Sequence, residues 1–184
     1  MTKLTARIAK ELIEHEAIVR EAYKDSKGIW TWSVGITSAS GHTVFPVYKD
    51  NPQTIRKCLE IYIWLLRKKY IPAVEAAFAG HVLTESQFGG ALSFHYNTGA
   101  IGSATWVKQW KSGDIAGAKL SIMNWKKPPE IIPRRQKERD LFFDGVWSGK
   151  GKARVWPVKK PSYTPDWAHP GSADVTADLA ALLP

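Results

Sequence analysis

The segment Glu16-Ala17-Ile18-Val19-Arg20-Glu21-Ala22-Tyr23-Lys24-Asp25-Ser26-Lys27-Gly28-Ile29-Trp30-Thr31 decides the reading of this chain. It opens where an amphipathic stretch closes. Residues 2–19 put Leu4, Ile8, Leu12 and Ala9 or Ile13 on one stripe, which is helical spacing, with Thr2 as the N-cap. Asp25-Ser26-Lys27-Gly28 carries the residue types of a tight turn, and Ile29 to Ile36 is rich in tryptophan and β-branched side chains. A small antiparallel sheet is expected, with Glu16 at a helix end, Asp25 at the hairpin turn and Thr31 on the returning strand.

Outward from that segment the pattern turns helical. Thr43 to Val47 reads as one more short strand, and Asn51-Pro52 as the cap and first residue of a helix running to about Tyr70 and interrupted near Pro72. Thr84-Glu85-Ser86-Gln87 fits a capping box opening a helix through about Thr98. Further helices are expected at 103–112, 114–125 and 133–144. Residues 146–184 hold five of the eleven prolines and read as a tail, helical at Val175 to Leu183. One helix, a small sheet and then many helices make the fold class α+β, mostly helical.

At 184 residues, with 44% apolar and 23% charged side chains, the chain can bury a core and is not a disordered polymer. Ile61 to Leu66 is the longest apolar run, far short of the roughly 18–20 residues of a membrane span. The single cysteine, Cys58, excludes an internal disulfide and a multi-cysteine zinc site. Net charge is 26 − 17 = +9, which favours an anionic partner: nucleic acid, lipid or cell-wall polymer. Nine tryptophans add a mild preference for a sugar or a base.

A helix end, a hairpin turn and a strand can converge three polar groups on one cleft. Two carboxyls across a gap are what glycoside hydrolysis needs. One is protonated and donates to the leaving oxygen; the other is ionised and steadies the oxocarbenium-like transition state, orients water or attacks. By position Glu16 is the candidate acid, Asp25 the ionised group and Thr31 a holder of water. On spacing alone the same residues also fit a solvated helix glutamate, a turn aspartate bonded to its own backbone and an ordinary strand threonine.

The string Glu16-(eight residues)-Asp25-(five residues)-Thr31, with Tyr23-Lys24-Asp25 and Gly28 inside it, resembles the bacteriophage lysozymes (endolysins) of glycoside hydrolase family 24. Leu83-Thr84-Glu85-Ser86-Gln87-Phe88, Leu92-Ser93-Phe94-His95-Tyr96-Asn97-Thr98-Gly99, Trp110-Lys111-Ser112-Gly113-Asp114 and Arg134-Arg135-(two residues)-Glu138-(two residues)-Leu141-Phe142 resemble later family segments in the same order. The match covers about residues 4–145. The resemblance implies a two-lobed lysozyme-like fold, a sheet lobe and a helical lobe with the cleft between them, joined by the helix from about residue 51. It implies a muramidase cutting the β-1,4 bond between N-acetylmuramic acid and N-acetylglucosamine. Glu16 would be the general acid, Asp25 and Thr31 would position water, and Asn97 would bind sugar. That reaction needs no metal or cofactor.

The expected domain is 1–145, with 146–184 an extension packed on it through Trp147, Trp156 and Trp167. The expected partner is the glycan strand of peptidoglycan, not nucleic acid, and the chain is expected to be a monomer without membrane insertion. Met1 to Glu16 is charged throughout and lacks the apolar stretch of a signal peptide. The resemblance therefore implies accumulation in the host cytoplasm and release through a holin-type pore. A lytic transglycosylase, giving 1,6-anhydro ends, and a non-catalytic wall-binding module are the alternative functions.

Departures from the family pattern fall after Thr31. Ser33 stands where family members carry a glycine, and Ile36 where they carry a histidine. His42 reads as a surface-loop histidine and Cys58 as a buried inert thiol. Arg134 and Arg135 read as internal pairing residues. Trp30 and Trp32 alternate with Thr31 and read as packing residues.

Overall fold

A computed structural model describes residues 3–148 and 152–183. The chain forms two compact units, one from residues 1–11 and 67–148, the other from 12–66 and 149–184. Among the described residues the first is entirely helical and the second holds every strand, so the architecture is α+β and mostly helical. Helix α1 (Ala6–Glu16) contributes to both. The expected cap Thr2 lies outside the described residues. Thr5 caps the helix instead, its hydroxyl accepting from the Ile8 N–H at 3.2 Å. Leu4, Ile8, Ala9, Leu12 and Ile13 are all buried, as the stripe requires.

In the sheet-bearing unit, β1 (Val19–Lys24), β2 (Trp30–Ser33) and β3 (Ile36–Thr37) pair antiparallel in that order. Tyr23 faces Thr31, Lys24 faces Trp30, and Trp32 faces Ile36. Thr31 and Tyr23 therefore share one face, and Trp30 and Trp32 the other. Trp32 is fully buried and stacks on Tyr48 with centroids 3.7 Å apart, while Trp30 stacks on Phe45 at 4.9 Å. Both indoles pack. Ser33 has φ +58°, the left-handed conformation that suits a glycine. Its hydroxyl donates to the Cys58 carbonyl at 2.9 Å, a buried bond that offsets the strain. Thr43 to Val47 is a turn rather than a strand, because Val44 donates to the Ser38 hydroxyl and its carbonyl accepts from Tyr48 N–H.

Helix α2 (Ile55–Leu65) starts three residues later than Asn51-Pro52 suggests. Gln53 N–H is drawn to the Arg20 carbonyl, a long-range bond, and Thr54 becomes the cap, accepting from Lys57 N–H at 3.1 Å. Leu66–Tyr70 then widens to a π-turn before α3 (Ile71–Ala77), where Pro72 has no N–H to return to the Lys68 carbonyl. Cys58 is fully buried, and burial pushes its thiol up to about 11.

The tail adds β4 (Ala153–Val155) paired with β7 (Gly171–Ala173), and a hairpin of β5 (Val158–Lys159) with β6 (Thr164–Pro165). Within this unit Ile18 bridges Val155, Lys24 N–H donates to the Tyr163 carbonyl, and Lys160 Nζ reaches Glu21 at 2.8 Å and Asp50 at 2.5 Å. Helix α8 (Thr176–Leu182) packs on α2. Trp167 is 66% exposed, and backbone pairing and ion pairs hold the tail within this unit.

In the helical unit, α4 (Glu85–Thr98) has both bonds of its capping box and ends at Gly99 with φ +68°. It packs on α7 (Ile132–Asp144), with α5 (Thr105–Lys111) and α6 (Ile115–Ser121) beside them. A Cβ on Gly90 would meet Phe142 Cβ at 2.9 Å and Phe142 N at 3.0 Å, so the α4–α7 approach depends on that glycine. Phe94, Trp106 and Phe142 form its aromatic centre, with Trp106 edge-on to Phe142 at 4.9 Å. Trp147 lies in this unit under the Arg7 guanidinium, 4.1 Å from the ring centroid.

Candidate active site

Glu16 is the last residue of α1 and is half-buried. The helix stops there because Ala17 turns left-handed at φ +60°, after which Ile18 and Val19 enter strand pairing. Asp25 follows β1. Its Oδ1 accepts from Lys27 N–H at 2.8 Å and Ile29 N–H at 2.9 Å, and its own N–H donates to the Ile29 carbonyl at 3.0 Å. Gly28 supplies the turn's φ of +76°. Both side-chain bonds fall on Oδ1, and Oδ2 holds none among the described residues.

Thr31 lies in the middle of β2, 3% exposed, and its Oγ1 donates to the Ile29 carbonyl at 3.1 Å. The Ile29 backbone is therefore a tether. Its N–H fixes Asp25 and its carbonyl fixes Thr31, so the carboxylate and the hydroxyl are held by one residue. With its proton committed, the hydroxyl offers only acceptor lone pairs to a water molecule.

Tyr23 feels the charge of both carboxyls. It sits opposite Thr31 in the register, and its phenol lies in the field of both the Glu16 and the Asp25 carboxyls. Burial first, then those two charges, push its ionisation well above the ordinary 10.0, so the phenol stays neutral. Because the folded value is raised, this group's contribution to stability is complete below about pH 10 and is lost as pH climbs above it. Tyr23→Phe is expected to flatten the alkaline decline by at most roughly 1.4 kcal/mol per pH unit, measured by thermal melts from neutral pH to above pH 10. Neither Tyr23 nor the Ile29 backbone stands out from residue type alone. Strand alternation does place Tyr23 on the face of Thr31, but a main-chain tether leaves no mark in the sequence.

Asn97 belongs to the helical unit, near the end of α4. Its Oδ1 accepts from Arg135 Nη2 at 2.6 Å, and Arg135 Nε donates to the Trp125 carbonyl at 3.0 Å. Arg135 is 1% exposed, pairs with Glu138 and lies over the Phe94 ring at 4.6 Å. Burial lowers the guanidinium's affinity for its proton, and Glu138 opposes that shift. Arg134 Nε also reaches Glu138, at 2.9 Å, and Ser93 Oγ donates to it at 2.7 Å. Both arginines are internal pairing residues. Asn97 is exposed, with its carbonyl already engaged and its Nδ2 turned over to any further acceptor.

His42 is not a plain surface-loop histidine. Its Nε2 is 2.8 Å from Tyr48 Oη, and its ring stacks beside Trp32 at 5.9 Å. Burial, then Lys57, lowers its pKa. Among the described residues no three His, Cys, Asp or Glu side chains are grouped to hold a metal ion. No helix among them is long and apolar enough to cross a membrane.

A family model described as phage lysozyme matches residues 13–138, which takes in Glu16, Asp25, Thr31 and Asn97. This chain belongs to the phage lysozyme family. The family consists of glycoside hydrolases. A probable prophage lysozyme of Escherichia coli strain K12 is 36% identical over 119 residues, covering 63% of this chain and 64% of that protein. The endolysin of Salmonella phage P22 is 29% identical over 159 residues, 78% of this chain and 99% of its own length. The crystal structure of a P22 lysozyme variant superposes with TM-score 0.63 at 26% identity, over 77% of this chain and 99% of that one. An endolysin from Escherichia coli O157:H7 phage FAHEc1 shares the fold with TM-score 0.70 at 24% identity, covering 80% and 97%. The lysozyme family's fold is the one this chain adopts.

Proposed function

We propose that the chain is an endolysin whose chemistry is hydrolysis of the β-1,4 bond between N-acetylmuramic acid and N-acetylglucosamine in peptidoglycan, in the service of host cell lysis. The observation that carries this reading is the Ile29 tether, which fixes Asp25 and Thr31 together while Tyr23 feels both Asp25 and Glu16. In this reading Glu16 is the acid, and Asp25 with Thr31 is the water site.

Glu16 gives its proton to the glycosidic oxygen as the bond from that oxygen to the muramyl C1 breaks. Positive charge grows on C1 and its ring oxygen, and the Asp25 carboxylate steadies it. Water attacks C1 and passes a proton to Asp25 Oδ2. Thr31 Oγ1 accepts the water's other hydrogen bond and aims it, because its own proton is occupied by Ile29. Glu16 ends ionised and Asp25 ends protonated, and exchange with solvent restores both. Asn97 contributes a sugar contact through Nδ2, with Arg135 holding the amide plane.

In this reading residues 1–145 carry catalysis and 146–184 are an extension. The working form is a monomer acting on glycan strands, and it reaches them from the host cytoplasm through a holin-type pore. Names of the P22 and prophage relatives support the reading, as does the +9 charge, which suits a wall polymer bearing carboxylates. Mass spectrometry of fragments released from purified peptidoglycan tests it. Hydrated muramic acid at every new reducing end is expected. Anhydro ends would make the enzyme a transglycosylase and leave Asp25 and Thr31 without a role. Binding without any fragments would make it a wall-binding module.

A further inference from the structure

The tail builds a recess that the catalytic reading does not use. It has a volume of about 300 Å³, and Arg20, Glu21, Pro52, Trp156 and Pro157 are among the residues that line it. At the recess the Trp156 ring meets Trp167 edge-on, centroids 5.1 Å apart and planes at 70°. Trp167 is 66% exposed yet firmly placed. Its backbone N–H donates to the Pro165 carbonyl at 3.2 Å. The neighbouring Asp166 is held by Pro157, Lys159 and His169, at 2.8, 3.4 and 2.8 Å. A large indole kept in water on a pinned turn is pre-organised to stack on a flat apolar face.

The polar groups that line the recess are also prepared. Arg20 spends Nε on the Gln53 carbonyl at 2.5 Å, and its two terminal nitrogens hold no bond among the described residues. Glu21 gives Oε2 to Lys160 at 2.8 Å, leaving Oε1 as an acceptor. A stacking platform, a carboxylate-matching guanidinium fork and one acceptor together fit an N-acetylated amino sugar bearing a carboxylate. The structure assigns this recess and Trp167 to an accessory site for the peptidoglycan glycan strand. The sugar face stacks on Trp167, and Arg20 takes the lactyl or peptide carboxylate. The occupant rests on the proposed function; the site itself is a separate set of residues from Glu16, Asp25 and Thr31.

Binding is measured with the full chain carrying Glu16→Gln, against purified sacculi by sedimentation and against the neutral N-acetylglucosamine tetramer by NMR of the indole N–H signals. Trp167→Ala is expected to weaken both interactions about ten-fold, with an unchanged melting temperature, since the side chain is exposed. Arg20→Ala is expected to weaken only the sacculus interaction. The indole signal absent in Trp167→Ala is the one the tetramer moves in the parent. Parental affinity of Trp167→Ala for either probe overturns the assignment. A tetramer that moves no indole signal also overturns it, and leaves simple charge attraction as the wall contact. Failure of the catalytic reading is seen elsewhere, as continued cleavage of sacculi by the Glu16→Gln parent, and does not alter the Trp167 comparison.

Discussion

Glu16→Gln is expected to lower kcat on peptidoglycan by about a thousand-fold, near the middle of the range for a lost general acid. Glutamine keeps the size and the hydrogen-bonding shape of the side chain and removes only the transferable proton. The residue is half-buried at a helix end, so the melting temperature should stay close to that of the wild type. The alkoxide leaving group would then depart without protonation, and no other group in this set carries a proton to spare. Asp25 is an acceptor in its turn, Thr31 has committed its proton to Ile29, and the Tyr23 phenol is held neutral by its surroundings. Turnover is read from release of reducing ends. Retention of even a tenth of wild-type activity would remove Glu16 from the acid role. Asp25→Asn makes a useful companion, because the amide oxygen can still accept from Lys27 and Ile29 and so keep the turn.

Glu138→Gln is expected to produce the largest loss of stability, about 3–5 kcal/mol. The Glu138 carboxylate is fully buried and serves Arg134, Arg135 and Ser93 at once. A neutral amide cannot balance two guanidinium groups of which one is 1% and the other 10% exposed. It also presents N–H donors to donors, so a buried group is left unsatisfied. The melting temperature should fall by about 10 °C. Circular dichroism melts check this, and a change below about 1 kcal/mol would show that the pair contributes little. The same substitution loosens Arg135, and with it the carbonyl of Asn97. A rise in KM larger than the fall in kcat would follow if Asn97 touches sugar.

What the sequence discloses and what it conceals divide along the range of the interactions. The Thr84–Gln87 capping box, the Gly99 stop and the Asp114 cap are local, and each appears where the residue types place it. So does the Asp25 turn, since its bonds close within four residues. The start of α2 is concealed because a partner 33 positions away, Arg20, takes the Gln53 N–H and delays the helix to Thr54. His42 is concealed for a like reason, as its ring packs beside Trp32 on β2, outside its own loop.

The candidate site shows the same division. Residue type and spacing single out Glu16, Asp25 and Thr31, but the backbone of Ile29 that ties two of them together has no side-chain signature. The tail is the least legible part. Its three tryptophans suggest a strap; the short strand pairs that hold it, and the outward turn of Trp167, leave no such mark. Two-residue strands carry almost no periodic signal, so composition had to stand in for pattern.

The most direct test of the central claim is the configuration of the first product. If Asp25 and Thr31 hold a water that attacks C1 opposite the leaving oxygen, the β-linked substrate must give the α anomer at the new reducing end. Proton NMR of a soluble peptidoglycan fragment, followed from the first minutes of digestion and before mutarotation, reads that anomer. The α anomer appearing first is the result predicted here. A β anomer appearing first would contradict it, because a carboxylate would then have attacked C1 in place of the water.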